Sequence, residues 1–121
     1  MDAAYVFRVR FRLDPDSVSV DPNEFETVLR IPAAAPGEDG WLFFQYNLWR
    51  GEVGDERHLR SVAESYLDVP ISSVTFSELE TDRSYLDALK DTIAEDLTPF
   101  NAHSVDEVLH NHLGSSIHVR S

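Results

Sequence analysis

Trp41-Leu42-Phe43-Phe44-Gln45-Tyr46-Asn47-Leu48-Trp49-Arg50 is the densest run of large apolar side chains in this 121-residue sequence, and it holds both tryptophans. It lies between a loop from Pro32 to Gly40, which contains two prolines and two glycines, and a segment of helical spacing. Taken as extended chain, the run splits into two faces. Leu42, Phe44, Tyr46 and Leu48 form one. Trp41, Phe43, Gln45, Asn47 and Trp49 form the other. Aromatics on both faces predict a central strand, with the first face against the core and the second on the side that helices leave open.

Upstream of it, Tyr5 to Leu13 alternates without a break: Tyr5, Phe7, Val9, Phe11 and Leu13 against Val6, Arg8, Arg10 and Arg12. This is the period of a half-buried strand. Asp14-Pro15-Asp16-Ser17 supplies a turn. Phe25 to Ile31 alternates again, and Val18 to Asn23 either begins that strand early or forms a short edge. Downstream, Asp55 is placed to cap a helix with Leu59, Val62, Ala63, Tyr66 and Leu67 on its apolar stripe, ended by Pro70. Ser72 to Glu80 reads as a strand. Thr81 or Asp82 caps a second helix, striped by Leu86, Leu89, Ile93 and Leu97 and stopped by Pro99. Ser104 with Glu107 is a capping box that opens a short helix closed by Gly114, and Ile117 to Arg120 is a last strand.

The predicted order is β-β-β-α-β-α-α-β in a single domain spanning residues 1–121. The first three strands can form an antiparallel meander, with the helices as crossovers. The fold class is therefore α+β: a two-layer sandwich, mainly antiparallel, with helices on one face, in a ferredoxin-like variant.

Twenty-two acids against ten bases give a net charge of −12, and nine of the bases are arginine, with Lys90 the single lysine. In molar salt the Debye length is about 3 Å, so carboxylates repel little while keeping a hydrated surface. Arginine persists because its weakly hydrated fork pairs bidentately with carboxylates. This composition predicts a protein adapted to high salt. Residues 1–50 hold five bases and eight acids, and residues 51–121 hold five bases and 14 acids, so the surplus falls in the half read as helical. There is no cysteine, which excludes disulfides and thiolate chemistry. Met1 to Ala4 lacks a basic segment followed by an apolar one, and the apolar run is too short to cross a bilayer as a helix. A cytoplasmic protein with no membrane partner is expected.

With Leu48-Trp49-Arg50 inside the stretch Phe43 to Glu52, in an acidic, lysine-poor chain of this length, the sequence resembles the LWR-salt proteins, small proteins of halophilic archaea. The resemblance implies a halophilic archaeal origin and assigns no activity, so it carries over no catalytic residue.

Three groups invite a functional reading. Arg8, Arg10 and Arg12 share a strand face and suit phosphate or carboxylate. Glu24 and Glu26 on the neighbouring strand favour a cross-strand ion ladder instead, and the acidic surroundings argue against nucleic acid. Gln45, Asn47 and Trp49, flanked by Trp41 and Phe43, offer aromatic walls with amide groups. Packing or a homodimer through the open sheet face is preferred there to a ligand pocket. His110 and His112 diverge on a helix, so no metal is expected, nor any cofactor. Ser72, Ser73, Ser115 and Ser116 lie outside any nucleophile elbow. The reading is a non-enzymatic interaction or self-associating domain. The alternative is a small-molecule or anion binder, or an enzyme, with a pocket at Gln45, Asn47 and Trp49.

Overall fold

Alternation of apolar and charged residues gives the first strand two unlike faces. In the computed structural model, which describes residues 2–12 and 24–120, this is β1 (Ala3–Arg12). Tyr5, Phe7 and Val9 are buried, while Arg8 and Arg10 are exposed. β1 pairs antiparallel with β2 (Glu24–Pro32), placing Phe7 opposite Leu29, Arg8 opposite Val28 and Arg10 opposite Glu26. The turn expected at Asp14 to Ser17 and the early strand expected at Val18 to Asn23 lie outside the described residues.

The run from Trp41 to Arg50 is not a strand. It forms a turn, then α1 (Phe43–Asn47), then β3 (Leu48–Trp49), which pairs with β4 (Glu52–Val53) in a separate two-stranded ribbon. The physical reason is that apolar side chains stand at both odd and even positions, so no polar face fixes a period of two. Trp41, Phe44 and Leu48 instead stand at i, i+3 and i+7, the spacing of one helical face. Phe44 and Leu48 are 0% and 2% exposed, whereas Tyr46, expected beside them in the core, is 73% exposed. Trp41 and Phe43, expected on the open side, pack against the core cluster instead.

After the ribbon comes α2 (Glu56–Leu67), whose N-cap Asp55 accepts from the His58 N–H at 3.1 Å. Leu59 and Ala63 are buried as expected, but Tyr66 is 55% exposed. β5 (Ile71–Asp82) leads directly into α3 (Arg83–Glu95), capped by the Asp82 carboxylate accepting from the Tyr85 N–H at 2.7 Å. This backbone hydrogen bond, followed by a second from Asp2, holds the Asp82 carboxyl below the usual carboxylate range. A 3-10 turn, Thr98–Phe100, precedes α4 (Val105–Leu113), whose Ser104 hydroxyl accepts from the Glu107 N–H as the capping box requires. β6 (Ile117–Arg120) closes the chain's sheet.

The sheet order is β2-β1-β5-β6. β1 is antiparallel to both neighbours, and β5 and β6 are parallel. No three-strand meander forms, because the third expected strand has left the sheet. The sheet is mixed because β5 and β6, connected through α3 and α4, pair parallel, and β2 and β5 run parallel on either side of β1, joined by the segment carrying α1 and α2. The α+β class and its two layers hold. Tyr5, Phe7, Val9, Val74, Phe76 and Leu79 line the covered face and meet Phe44, Leu59, Ala63, Leu89, Ile93, Val108 and Leu113 from the helical layer in one hydrophobic cluster. Each fully buried Leu, Ile or Phe contributes about 1.5–3 kcal/mol relative to its exposed state. No helix among the described residues is long and apolar enough to cross a membrane.

Candidate functional site

The candidate residues Trp41, Phe43, Gln45, Asn47, Trp49, Arg8 and Arg10 do not form one site. They fall in four places, and the departure of the 41–50 run from the sheet is what separates them.

Trp41, Phe43 and Asn47 line a groove with a volume of about 480 Å³, completed by Gly37, Glu38, Asp39, Gly40, Leu42 and Tyr46. Gly37 and Gly40 have φ of +89° and +86°, which lets the loop fold back over the start of α1. Phe43 is anchored from below, its ring centroid 4.6 Å from that of Tyr5 and 6.2 Å from that of Phe7. Trp41 stands edge-on to Phe44 and Phe100, each at 6.3 Å. Asn47, 8% exposed, donates from Nδ2 to the Phe43 carbonyl at 2.9 Å. The sequence does not single out Glu38, Asp39 or Tyr46: the two acids lie in the Pro32 to Gly40 loop, and alternation over the 41–50 run puts Tyr46 on the core face.

Gln45 faces elsewhere. Its Nε2 donates to the Pro99 carbonyl at 2.6 Å, and its Oε1 is buried without a partner among the described residues. It ties α1 to the 3-10 turn.

Trp49 belongs to a helix cap. Arg50 and Gly51 are the two-residue loop of the β3–β4 ribbon, with φ of 52° and 80°, the positive pair that a tight hairpin of this kind requires. Their N–H groups donate to the carbonyls of Asn111 and His112 at the end of α4. A helix leaves its last carbonyls unpaired, and here the Leu48-Trp49-Arg50-Gly51 turn supplies donors to two of them. His112 is buried and donates from Nδ1 to the Leu48 carbonyl at 2.9 Å. The Trp49 ring, 50% exposed, lies edge-on to His112 at 5.4 Å, with the Arg50 guanidinium 5.7 Å from its centroid. Arg50 therefore covers Trp49 rather than pairing with Glu52 or Asp55. His110 is exposed while His112 is buried, so the two diverge. No cluster of three His, Cys, Asp or Glu side chains suited to a metal occurs among the described residues.

Arg8 and Arg10 lie on the opposite face of the sheet from the groove. The expected ladder is present at Arg10 and Glu26, 3.5 Å apart. Arg12 stands opposite Glu24 in backbone register. Arg8 stands between Val28 and Thr75 and forms no ion pair with a described residue. Farther along this face Glu80, almost wholly buried, accepts from Arg30 at 2.8 Å and meets Arg120 at 3.5 Å. Among described side chains, this face carries Arg8, Arg10, Arg12, Arg30 and Arg120 against Glu26, Glu78, Glu80 and Asp82, which stands opposite Arg120 at the sheet's end. The remaining described side chains comprise five bases and fourteen acids. The open face, expected to be aromatic, is instead a band of arginine on an otherwise acidic chain.

The two tyrosines with raised pKa are structural. Burial pushes both hydroxyls up, Tyr85 to about 12, and the Tyr85 hydroxyl donates to the Ala34 carbonyl at 2.7 Å.

No curated protein and no solved structure matches the chain. The family model of the LWR-salt proteins matches residues 1–121, and its namesake tripeptide is the turn that caps α4: the chain belongs to the LWR-salt protein family.

Proposed function

We propose that this protein is a non-enzymatic interaction domain of a halophilic archaeal cytoplasm, docking a carboxylate-rich protein surface through its open sheet face. The observation that carries the reading is the segregation of charge: half of the chain's ten bases are arginines on one uncovered face. In molar salt, long-range attraction between charged surfaces is screened within about 3 Å. Direct guanidinium–carboxylate pairs act at shorter range, and arginine sheds water more readily than lysine. Arg8, without an ionic partner among the described residues, and Arg10, loosely held by Glu26, are the contacts a partner would take. The homodimer expected from the sequence uses the aromatics of the 41–50 run, which lie outside this sheet; on the arginine face, a homodimer is the case in which a second copy supplies the carboxylates.

The test is binding of fluorescently labelled poly-L-glutamate in molar KCl, followed by anisotropy, alongside sedimentation of the protein alone. Arg8→Gln with Arg10→Gln should weaken binding about tenfold or more, the loss of two charge-assisted contacts. Arg57→Gln on α2 should leave it unchanged. Equal loss in both variants would show a net-charge effect and overturn the reading. Concentration-dependent association that disappears in the double variant identifies a second copy as the partner. For the halophilic part, unfolding midpoints should rise with KCl, and a protein most stable in dilute buffer contradicts it.

A further inference from the structure

We infer that the groove between the Gly37–Gly40 loop and α1 binds a small organic cation bearing N–H groups, of the alkylammonium or guanidinium class. Its chemistry is opposite to that of the arginine face, and it lies on the other side of the sheet.

Three independent features converge on this ligand. The walls are aromatic: Trp41, Phe43 and Tyr46 line the groove. Aromatic faces carry negative charge density and attract organic cations within about 6 Å, by roughly 0.5–2 kcal/mol each depending on desolvation. The rim holds two carboxylates and no base, since Glu38 and Asp39 are the charged residues of the lining. The third feature is Asn47, 92% removed from solvent, as its 8% exposure shows. Its Nδ2 is committed to the Phe43 carbonyl, and its Oδ1 accepts no hydrogen bond from a described residue. That oxygen is also absent from the fully buried unpaired atoms, Gln45 Oε1 and Arg60 Nε, so it keeps a path to solvent. Asn47 is one of the residues that line the groove. An acceptor with no donor beside it selects a ligand that brings an N–H.

Size and surface select further. The volume of about 480 Å³ falls within the range of small-molecule sites, roughly 300–1,000 Å³. A bare potassium or sodium ion needs a shell of oxygens, and apolar walls do not supply one. An apolar body with a cationic N–H head matches both the walls and the rim.

Tryptophan fluorescence in a Trp49→Phe background leaves Trp41 as the reporter, and agmatine is the probe. A saturable change in millimolar agmatine or tighter, unaffected by equal KCl, is expected. Glu38→Gln with Asp39→Asn should weaken it about tenfold, as should Tyr46→Ala, whose exposed ring can be removed without touching the core. Choline, which has no N–H, should bind at least about fivefold more weakly than agmatine. Absence of saturation, choline equal to agmatine, or full binding by the double carboxylate variant would each overturn the proposal. Nα-acetyl-lysine amide binding more tightly than agmatine would overturn the free metabolite as the source, in favour of a lysine side chain.

Discussion

β1 and the Trp41–Arg50 run are the two most aromatic stretches of the fold, and they take opposite forms. In β1 every second residue from Arg8 to Arg12 is arginine, so one period satisfies both core and solvent. In the 41–50 run the polar residues Gln45 and Asn47 interrupt aromatics that stand at both parities. A strand there would have to bury both faces, and the fold instead rolls the segment into α1, sends Phe44 and Leu48 inward, and lets Tyr46 out. Polar residues, more than apolar ones, decide which period a short apolar run adopts.

The sharpest way to break that comparison is a pair of truncations within the run. Phe44 is fully buried, stacked on Phe100 at 6.0 Å and edge-on to His112 at 5.7 Å. Phe44→Ala should cost about 3–5 kcal/mol in chemical unfolding. Tyr46→Ala should stay within about 0.5 kcal/mol of the parent. As a strand, the two positions would share a face and suffer alike, so equal losses would restore the strand.

The second effect concerns the turn that follows. Gly51 has φ of +80°, and a Cβ there would meet the Ser116 Oγ at 3.3 Å. Gly51→Ala should cost about 1–2 kcal/mol for the left-handed backbone. Because the Gly51 N–H caps α4, hydrogen exchange should quicken at Leu113 and Gly114 before it does in β1. Uniform quickening across the sheet would mean that the turn is not a local cap.

These contrasts show what could be read in advance. β1, β2, α2, α3, α4 and β6 were legible because each carries its own punctuation: arginine alternation in β1, caps at Asp55, Asp82 and Ser104, and Gly114 after α4. The class followed from their order. The groove was not legible, because it depends on α1, and a five-residue helix without a side-chain cap leaves almost no signature. The spacing of Trp41, Phe44 and Leu48 was the available signal, and it competed with an equally good count for alternation. The arginine face was half legible. Arg10 opposite Glu26 could be paired from sequence, whereas Arg30 and Arg120 converging on Glu80 required the strand order.

A smaller effect joins the two regions. Tyr85 on α3 donates to the Ala34 carbonyl and so fixes the loop between β2 and the 41–50 run. Tyr85→Phe should cost about 1 kcal/mol, the net worth of one such bond. Burial raises this hydroxyl from 10.0 to about 12, so ionisation favours the unfolded chain. Its contribution is complete below pH 10 and is lost as pH rises toward 12. Melting temperature should fall across that window in the parent, and the fall should be shallower in Tyr85→Phe. An identical alkaline limb in the variant would assign the loss to other groups, among them Tyr5, whose hydroxyl is also raised by burial.

The smallest effect on stability is expected on the face that makes β1 legible. Arg10 and Glu26 are each about half exposed and sit 3.5 Å apart, so their pair is screened by water and salt. Arg10→Ala should change the unfolding free energy by no more than about 0.2–1 kcal/mol in dilute salt and less in molar KCl. The same alternation that builds the strand thus leaves its charged half energetically spare. Arginines retained for the fold alone would show a loss well above that range. A negligible loss, joined to weakened poly-L-glutamate binding in the Arg8 and Arg10 double variant, places their value in contact with a partner.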